Sequence, residues 1–117
     1  MRAALHEREA LIEARADAAL EIALTESAPW TKTLGAQPND RRRAAAWHKS
    51  ARVVAAYRDR YRIAEDTPLG TAPESAAQKI DAARARAALD RTLNLARVVH
   101  DQAHSRRART ERTGPSL

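Results

Sequence analysis

Alanine outnumbers all the large aliphatic residues taken together: the chain holds 28 Ala against 18 Leu, Ile and Val, and it has no Phe. That ratio constrains the fold more than any motif does. Alanine is the strongest helix former but offers little area to the hydrophobic effect. The sequence therefore predicts helices that approach closely through Ala-lined seams, or helices that need a partner to bury enough surface. Large aliphatics make up about 15% of the chain, under the roughly 20% level that marks disorder, and high helix propensity is what offsets this shortfall. The length fits one domain. No stretch approaches the ~20 apolar residues of a membrane span, and the N-terminus lacks the apolar core of a signal peptide. The absence of cysteine excludes disulfides and thiolate metal sites, and a cytoplasmic chain is the expectation.

Periodicity predicts three long helices. The first runs from about residue 2 to 26, with Leu5, Ile12 and Ala19 and the neighbouring row Ala4, Leu11, Ala18 and Ile22 as its apolar stripe. The second starts at Asn39 or Asp40, either a good N-cap, and runs to about Ile63, where Glu65-Asp66-Thr67-Pro68-Leu69-Gly70 breaks it. Trp47, Val54 and Tyr61, seven residues apart, mark its inward face together with Ser50, Ala51 and Tyr57. The third spans about residues 72 to 110. Thr71-x-x-Glu74 reads as its capping box, and its stripe shifts from Ile80, Ala83 and Ala87 to Leu89, Leu93, Ala96 and Val99. A shifting stripe implies a bend, or different partners for the two halves.

Between the first two helices lies SAPWTKTLGAQPND, residues 27 to 40. Ser27 is placed to cap a single turn over residues 29 to 34 that Pro29 begins, Gly35 to end it in a left-handed conformation, and Pro38 to lead into the next helix. Trp30 and Leu34, four residues apart, share one face of that turn and close the end of a helix pair that Ala stripes seal poorly. The expected architecture is all-α: three main helices plus this corner turn, forming a small antiparallel bundle or an extended hairpin with a long third helix. Residues 1 to 113 form one module and 114 to 117 a tail, and the expected core is Trp30, Leu34, Trp47, Val54, Tyr57 and Tyr61.

Charge is distributed unevenly. Arg41, Arg42, Arg43, Lys49, Arg52, Arg58, Arg60 and Arg62 face Asp59 alone within residues 41 to 62, so this stretch carries +7 and the rest of the chain −1. A smaller cluster, Arg106, Arg107, Arg109 and Arg112, lies near the C-terminus. On a helical wheel Arg42, Lys49, Arg52 and Arg60 fall opposite Trp47, Val54 and Tyr61. That side suits either a stripe that tracks nucleic-acid phosphates or an ordinary solvated face.

The run PWTKTLGAQPNDRRRAAAWHKSARVVAAYRDRYRIAEDTPLG, preceded by LIEARADAALEIAL, resembles the helical C-terminal region of conjugative relaxases of the TraA/TrwC (MobF) type from high-GC Gram-positive bacteria. The resemblance covers roughly residues 10 to 90. It rests on Pro29-Trp30, Leu34-Gly35, Pro38, Trp47, Val54, Ala56-Tyr57-Arg58, Tyr61, Ile63 and Pro68-Leu69-Gly70. Proteins of that family join a DNA-nicking domain to a helicase domain and move single-stranded plasmid or integrative-element DNA. This chain matches neither engine: it has no three-histidine cluster with tyrosine nucleophiles and no G-x-x-x-x-G-K-[ST] loop. The resemblance thus implies a part in conjugation rather than its enzymology.

Two sharper motifs give way to plainer readings. His100-Asp101-Gln102-Ala103-His104 is a shortened version of the H-E-x-x-H zinc motif, but Asp reaches less far than Glu and no third ligand follows, so solvated helix histidines are the better account. Tyr57 and Tyr61 are spaced like a tyrosine pair, yet a nucleophilic tyrosine needs a metal to polarise the phosphate and no metal site is encoded. The expectation is a module without catalytic residues, metal or cofactor. Its expected role is that of an accessory or C-terminal part of a conjugative relaxase, contacting single- or double-stranded DNA backbone or the transfer machinery. The alternatives are a protein-interaction or homodimerisation module without DNA binding, and a free-standing regulator of DNA transfer.

Overall fold

A computed structural model describes residues 2–113, with side chains described for residue 11 and residues 13–97. The fold is all-α, with no strand among the described residues: α1 (Arg2–Thr25), α2 (Pro29–Lys32), α3 (Arg41–Arg60) and α4 (Ala76–Thr113). The central helix, α3, packs closely against both α1 and α4, while those two barely approach one another. The result is a layer of three helices, 70 × 33 × 26 Å overall. Between extended hairpin and compact bundle, the chain takes the extended form, and the 38-residue α4 is its long axis.

One side of the layer is closed by the corner. Leu20 and Ala23 of α1, Trp30 and Leu34 of the corner, Trp47, Ala51, Val54 and Ala55 of α3, and Ala88 and Leu89 of α4 form one buried cluster. Ala51 and Ala55 let α1 approach α3 closely, and the two tryptophans and Leu34 supply the bulk that Ala seams lack. Five of the six expected core residues, Trp30, Leu34, Trp47, Val54 and Tyr57, are buried. Tyr61 is half-buried at the C-cap of α3, with its hydroxyl donating to Asp81 at 2.5 Å.

The corner differs from expectation in how it is capped. Ser27 does not cap α2: the residue before α2 is Ala28, which makes no side-chain cap bond. Instead Ser27 takes φ 54° and closes α1, with the Ser27 N–H donating to the Leu24 carbonyl at 3.2 Å and the Ala28 N–H to the Ala23 carbonyl at 2.9 Å. This is a Schellman end with a non-glycine residue in the left-handed position. The C-terminus of α3 repeats it at Arg62, φ 49°, with the Ile63 N–H donating to the Arg58 carbonyl at 3.0 Å, which is why α3 stops at Arg60 rather than Ile63. Gly35 does take the left-handed conformation, φ 80°, and the corner there lies so close to α4 that an added Cβ would sit 2.6 Å from the Ala96 Cβ. Asp40 caps α3, its carboxylate accepting from the Arg43 N–H at 3.0 Å.

The start of α4 is also corrected. Thr71-x-x-Glu74 is not its capping box. Ser75 accepts from the Gln78 N–H at 3.0 Å, while the Gln78 side-chain oxygen accepts from the Glu74 N–H at 3.2 Å. Ser75-Ala-Ala-Gln78 fits the same box pattern, and starting there leaves the Gln78 amide free to donate to the Tyr57 hydroxyl at 3.2 Å.

Two expected stripes are rotated. On α1 the buried residues are Ala16, Leu20 and Ala23, whereas Leu11 and Ile22 are 71% and 58% exposed. On α4 a single continuous face turns inward, through Asp81, Ala82, Ala85, Ala88, Leu89, Thr92, Leu95 and Ala96, and Ile80, Ala83 and Ala87 are exposed. The face does not shift along the helix. It follows small residues where α3 comes close, and the Thr92 hydroxyl is satisfied by the Leu89 carbonyl at 2.7 Å. Leu5, Ala4, Ile12 and Val99 of those stripes and the His100/His104 pair lie outside the described side chains.

Candidate nucleic-acid interface and the groove beside it

The closed side is held by one guanidinium. Arg58 lies over the Trp30 ring, 4.8 Å from its centroid, and donates to four carbonyls of the α3–α4 connection: Thr67 at 2.7 Å, Glu65 at 2.9 Å, Pro68 at 3.1 Å and Ile63 at 3.3 Å. Partial burial pulls its pKa below the ordinary arginine value, against the opposite pull of the Glu65 and Asp66 carboxylates. Arg58 is therefore a structural hub, not one of the solvated charges of the +7 segment. Gly70 completes the connection at φ 65°, where a Cβ would meet the Ile63 side chain at 2.8 Å.

The opposite side of α3 is open. Arg42, Lys49, Val53, Ala56 and Arg60 follow one another there at helical spacing, and the four basic residues singled out by sequence divide into two pairs. Arg42 and Lys49 are exposed, and neither makes an ion pair among the described residues. Arg52 leans toward α1, where one of its terminal nitrogens lies 3.1 and 3.2 Å from the two Asp17 oxygens. Arg60 leans toward α4, 3.0 Å from an Asp81 oxygen, with its guanidinium 5.4 Å from the centre of the Tyr61 ring. A third pair, Arg15 with Asp59 at 2.8 Å, ties α1 to the end of α3. The wheel put all four basic residues on one solvated stripe; the structure uses Arg52 and Arg60 to lace that stripe to its neighbours.

Below Arg60 the open side deepens into a groove of about 560 Å³. Val53, Ala56 and Tyr57 form its floor, Arg15 and Ala16 of α1 one wall, Asp81 and Arg84 of α4 the other. Val53 is 36% exposed, and Ile80, one turn before Arg84, is 58% exposed. A groove with apolar floor and charged rim suits a packed side chain or helix.

At the other end of α3 charge accumulates. Arg41, Arg42 and Arg43 occupy the first turn, where the positive end of the helix dipole and their own repulsion each cost a few tenths of a kcal/mol or more. Asp40 is the one carboxylate beside them in sequence. The Arg91 side chain donates to the Ser50 hydroxyl at 3.3 Å, and this sets the register of α4 against α3. Counting nine residues back from Ser50 and nine on from Arg91 aligns the start of α3 with about residue 100 of α4, which continues to Thr113, about 20 Å further. The backbone that carries Arg106, Arg107, Arg109 and Arg112 thus leaves the molecule at the same end as Arg41, Arg42 and Arg43. The side chains of that stretch are outside the described residues. Sequence showed both clusters but not that an antiparallel α3–α4 pair directs their backbones to the same end.

No family model matches this chain, no curated protein matches it in sequence, and no solved structure matches it.

Proposed function

We propose that this chain is a non-enzymatic helical module that contacts nucleic-acid backbone during conjugative DNA transfer in the cytoplasm, as an accessory or C-terminal part of a relaxase of the TraA/TrwC type. The observation that carries the DNA contact is the run of three arginines in the first turn of α3, at the end of an elongated molecule from which the backbone of α4 continues. Arginines in the first turn of α3 work against the helix dipole, so folding does not account for them, whereas a polyanion does. The conjugative setting is supported by the sequence resemblance alone. Most of the residues that carry it build the closed side: Trp30 under Arg58, Leu34 and Gly35 at the corner, Pro68 among the carbonyls that Arg58 gathers. What resembles the relaxase region is therefore a scaffold, and the surface set on it is basic.

Phosphate contacts position a protein without reading bases, so binding tolerates any sequence. If Arg41, Arg42, Arg43 and Lys49 each neutralise one phosphate, the log-log salt slope is about −3.6 on duplex and about −2.8 on single strands. Electrophoretic titration at about 50 mM salt tests this, because electrostatic affinity is strong there. Reversing Arg42 and Lys49 to Glu is expected to weaken binding most and to leave helical content unchanged, since both are exposed. A parent protein that shifts neither DNA form discards the DNA contact. The groove favours a second reading, a protein-interaction module, and that reading predicts no shift with parent or variant.

A further inference from the structure

Two charged residues of the groove walls are taken up within the chain, Arg15 of α1 by Asp59 and Asp81 of α4 by Arg60, and the rows that flank the groove beyond them carry opposite charge. On α1, Glu13, Asp17 and Glu21 are exposed and follow at four-residue spacing, and the Asp17–Arg52 pair places this row on the flank of α1 beside α3. On α4, Arg84 lines the groove, Arg91 continues its row seven residues on, and Ile80 and Ala87 lie between and beside them. Along the floor runs Val53, a large aliphatic that α3 leaves uncovered although such residues are scarce in this chain.

We propose that a second copy of this chain fills the groove, in a twofold dimer that sets α1 of each copy against α4 of the other. Charge selects this arrangement. A twofold axis parallel to the helices exchanges the walls, so the carboxylates of one copy meet the arginines of its partner in two equivalent places. An axis across the helices stacks α1 on α1 and α4 on α4, with like charges opposed. A nucleic-acid backbone is a poorer occupant, because the acidic row of α1 repels it.

Area points the same way. A compact monomer of 12.9 kDa exposes about 6,300 Å² and has a radius of gyration near 13 Å. This chain exposes 9059 Å² with a radius of 18.0 Å. Part of the excess, about 2,700 Å², belongs to the length of α4 that runs past α3, and the roughly 800 Å² that each partner contributes to a stable interface fits within the remainder. An axis parallel to the helices also brings the two basic ends together, so the dimer would enlarge a DNA-contacting surface without depending on one.

Sedimentation equilibrium at tens of micromolar protein tests the dimer. The parent is expected at about 26 kDa, twice the chain mass. The paired reversal Glu13→Arg with Glu21→Arg makes both walls basic, and Arg84→Glu with Arg91→Glu makes both acidic. Each variant alone is expected to sediment as a monomer with the helical circular dichroism of the parent, and an equimolar mixture to regain the dimer mass. Because Arg91 also bonds Ser50, Val53→Glu serves as an independent probe: it removes the apolar floor contact, gives a monomer, and is not rescued by mixing. A monomeric parent overturns the proposal, as does either reversed variant that stays dimeric, or a mixture that fails to reassociate. None of these readouts involves DNA, so they stand apart from the test of the basic end.

Discussion

The two sides of α3 are built from the same helix and by different physics. The closed side is over-determined: two tryptophans, Leu34 and Val54 fill it, and Arg58 ties four carbonyls of an irregular connection to the face of Trp30. The open side is laced by ion pairs between long, partly solvated side chains and leaves Val53 and a groove uncovered. A chain poor in large aliphatics thus concentrates them on one side and stabilises that side. The other side is left to charge, which contributes little to stability in water but gives a surface its specificity. The contrast predicts a steep difference in mutational cost between residues one or two positions apart.

The largest effect belongs to Trp47. It is 2% exposed, sits at the centre of the cluster, and cannot be replaced by neighbouring Ala side chains, so Trp47→Ala is expected to cost about 3–5 kcal/mol in denaturant unfolding. Its indole nitrogen is buried without a hydrogen-bond partner among the described residues. Trp47→Phe removes that unsatisfied donor while keeping most of the ring, and should cost clearly less. A Trp47→Ala protein as stable as Val53→Ala would erase the difference between the two sides.

Next comes the hub. Arg58→Lys keeps the charge but replaces a planar fork of five donors with a point charge that cannot span four carbonyls and a ring together. Hydrogen bonds from a charged group are worth more than neutral ones, and each carbonyl left unpaired carries a desolvation cost. The expected loss is about 2 kcal/mol, read by urea unfolding, with faster amide exchange in residues 63–70. Arg42→Lys, on the open side, should be neutral in both measurements. Equal effects at the two positions would show that Arg58 is as replaceable as a solvated arginine.

These contrasts also mark what was legible in the sequence. Long helices, the corner, the Asp40 cap and five buried core residues could be read because each depends on local propensity or on a large residue at fixed spacing. The rotated stripes could not. Where Ala is this common, periodicity follows the few large residues, and Leu11, Ile22 and Ile80 happen to lie outside the intrachain seam, while Ala16, Ala85 and Ala88 lie inside it. The role of Arg58 was hidden for a related reason: sequence counts it as one charge among eight, and the carbonyls it serves come from a loop whose path only the fold defines. That the backbones of the two basic stretches run to the same end required the α3–α4 register.

Helix ends without glycine were equally hard to read, and they offer a smaller test. Ser27 and Arg62 hold positive φ at the ends of α1 and α3. A non-glycine residue there costs about 1–2 kcal/mol, part of which glycine gives back through its greater unfolded-state entropy. Ser27→Gly, on an exposed residue, is therefore expected to leave the protein unchanged or to raise stability by less than about 1 kcal/mol in thermal unfolding. A clear loss would mean that the serine side chain does more at that corner than accept its strain.

The smallest effect is on the lacing. Asp81 accepts from the Tyr61 hydroxyl at 2.5 Å and faces Arg60 at 3.0 Å, the most developed polar contact of the open side. The hydrogen bond to Asp81 raises the Tyr61 pKa above its ordinary value of 10.0, burial adds to this, and Arg60 works against it. Because the pKa is raised in the folded state, this contact favours folding while Tyr61 is protonated, and its contribution fades as pH climbs from the unfolded value through the raised one. Asp81→Asn removes the charge but retains an acceptor. Tyr61 should then ionise closer to pH 10 in titrations followed by phenolate absorbance, with Tyr61→Phe identifying which step belongs to it. The stability cost near neutral pH should stay far below that of Trp47→Ala, as for other partly solvated pairs. A cost comparable to that of Trp47→Ala would mean that the open side is held as firmly as the closed one, and an unchanged tyrosine titration would remove Asp81 as the cause of the shift.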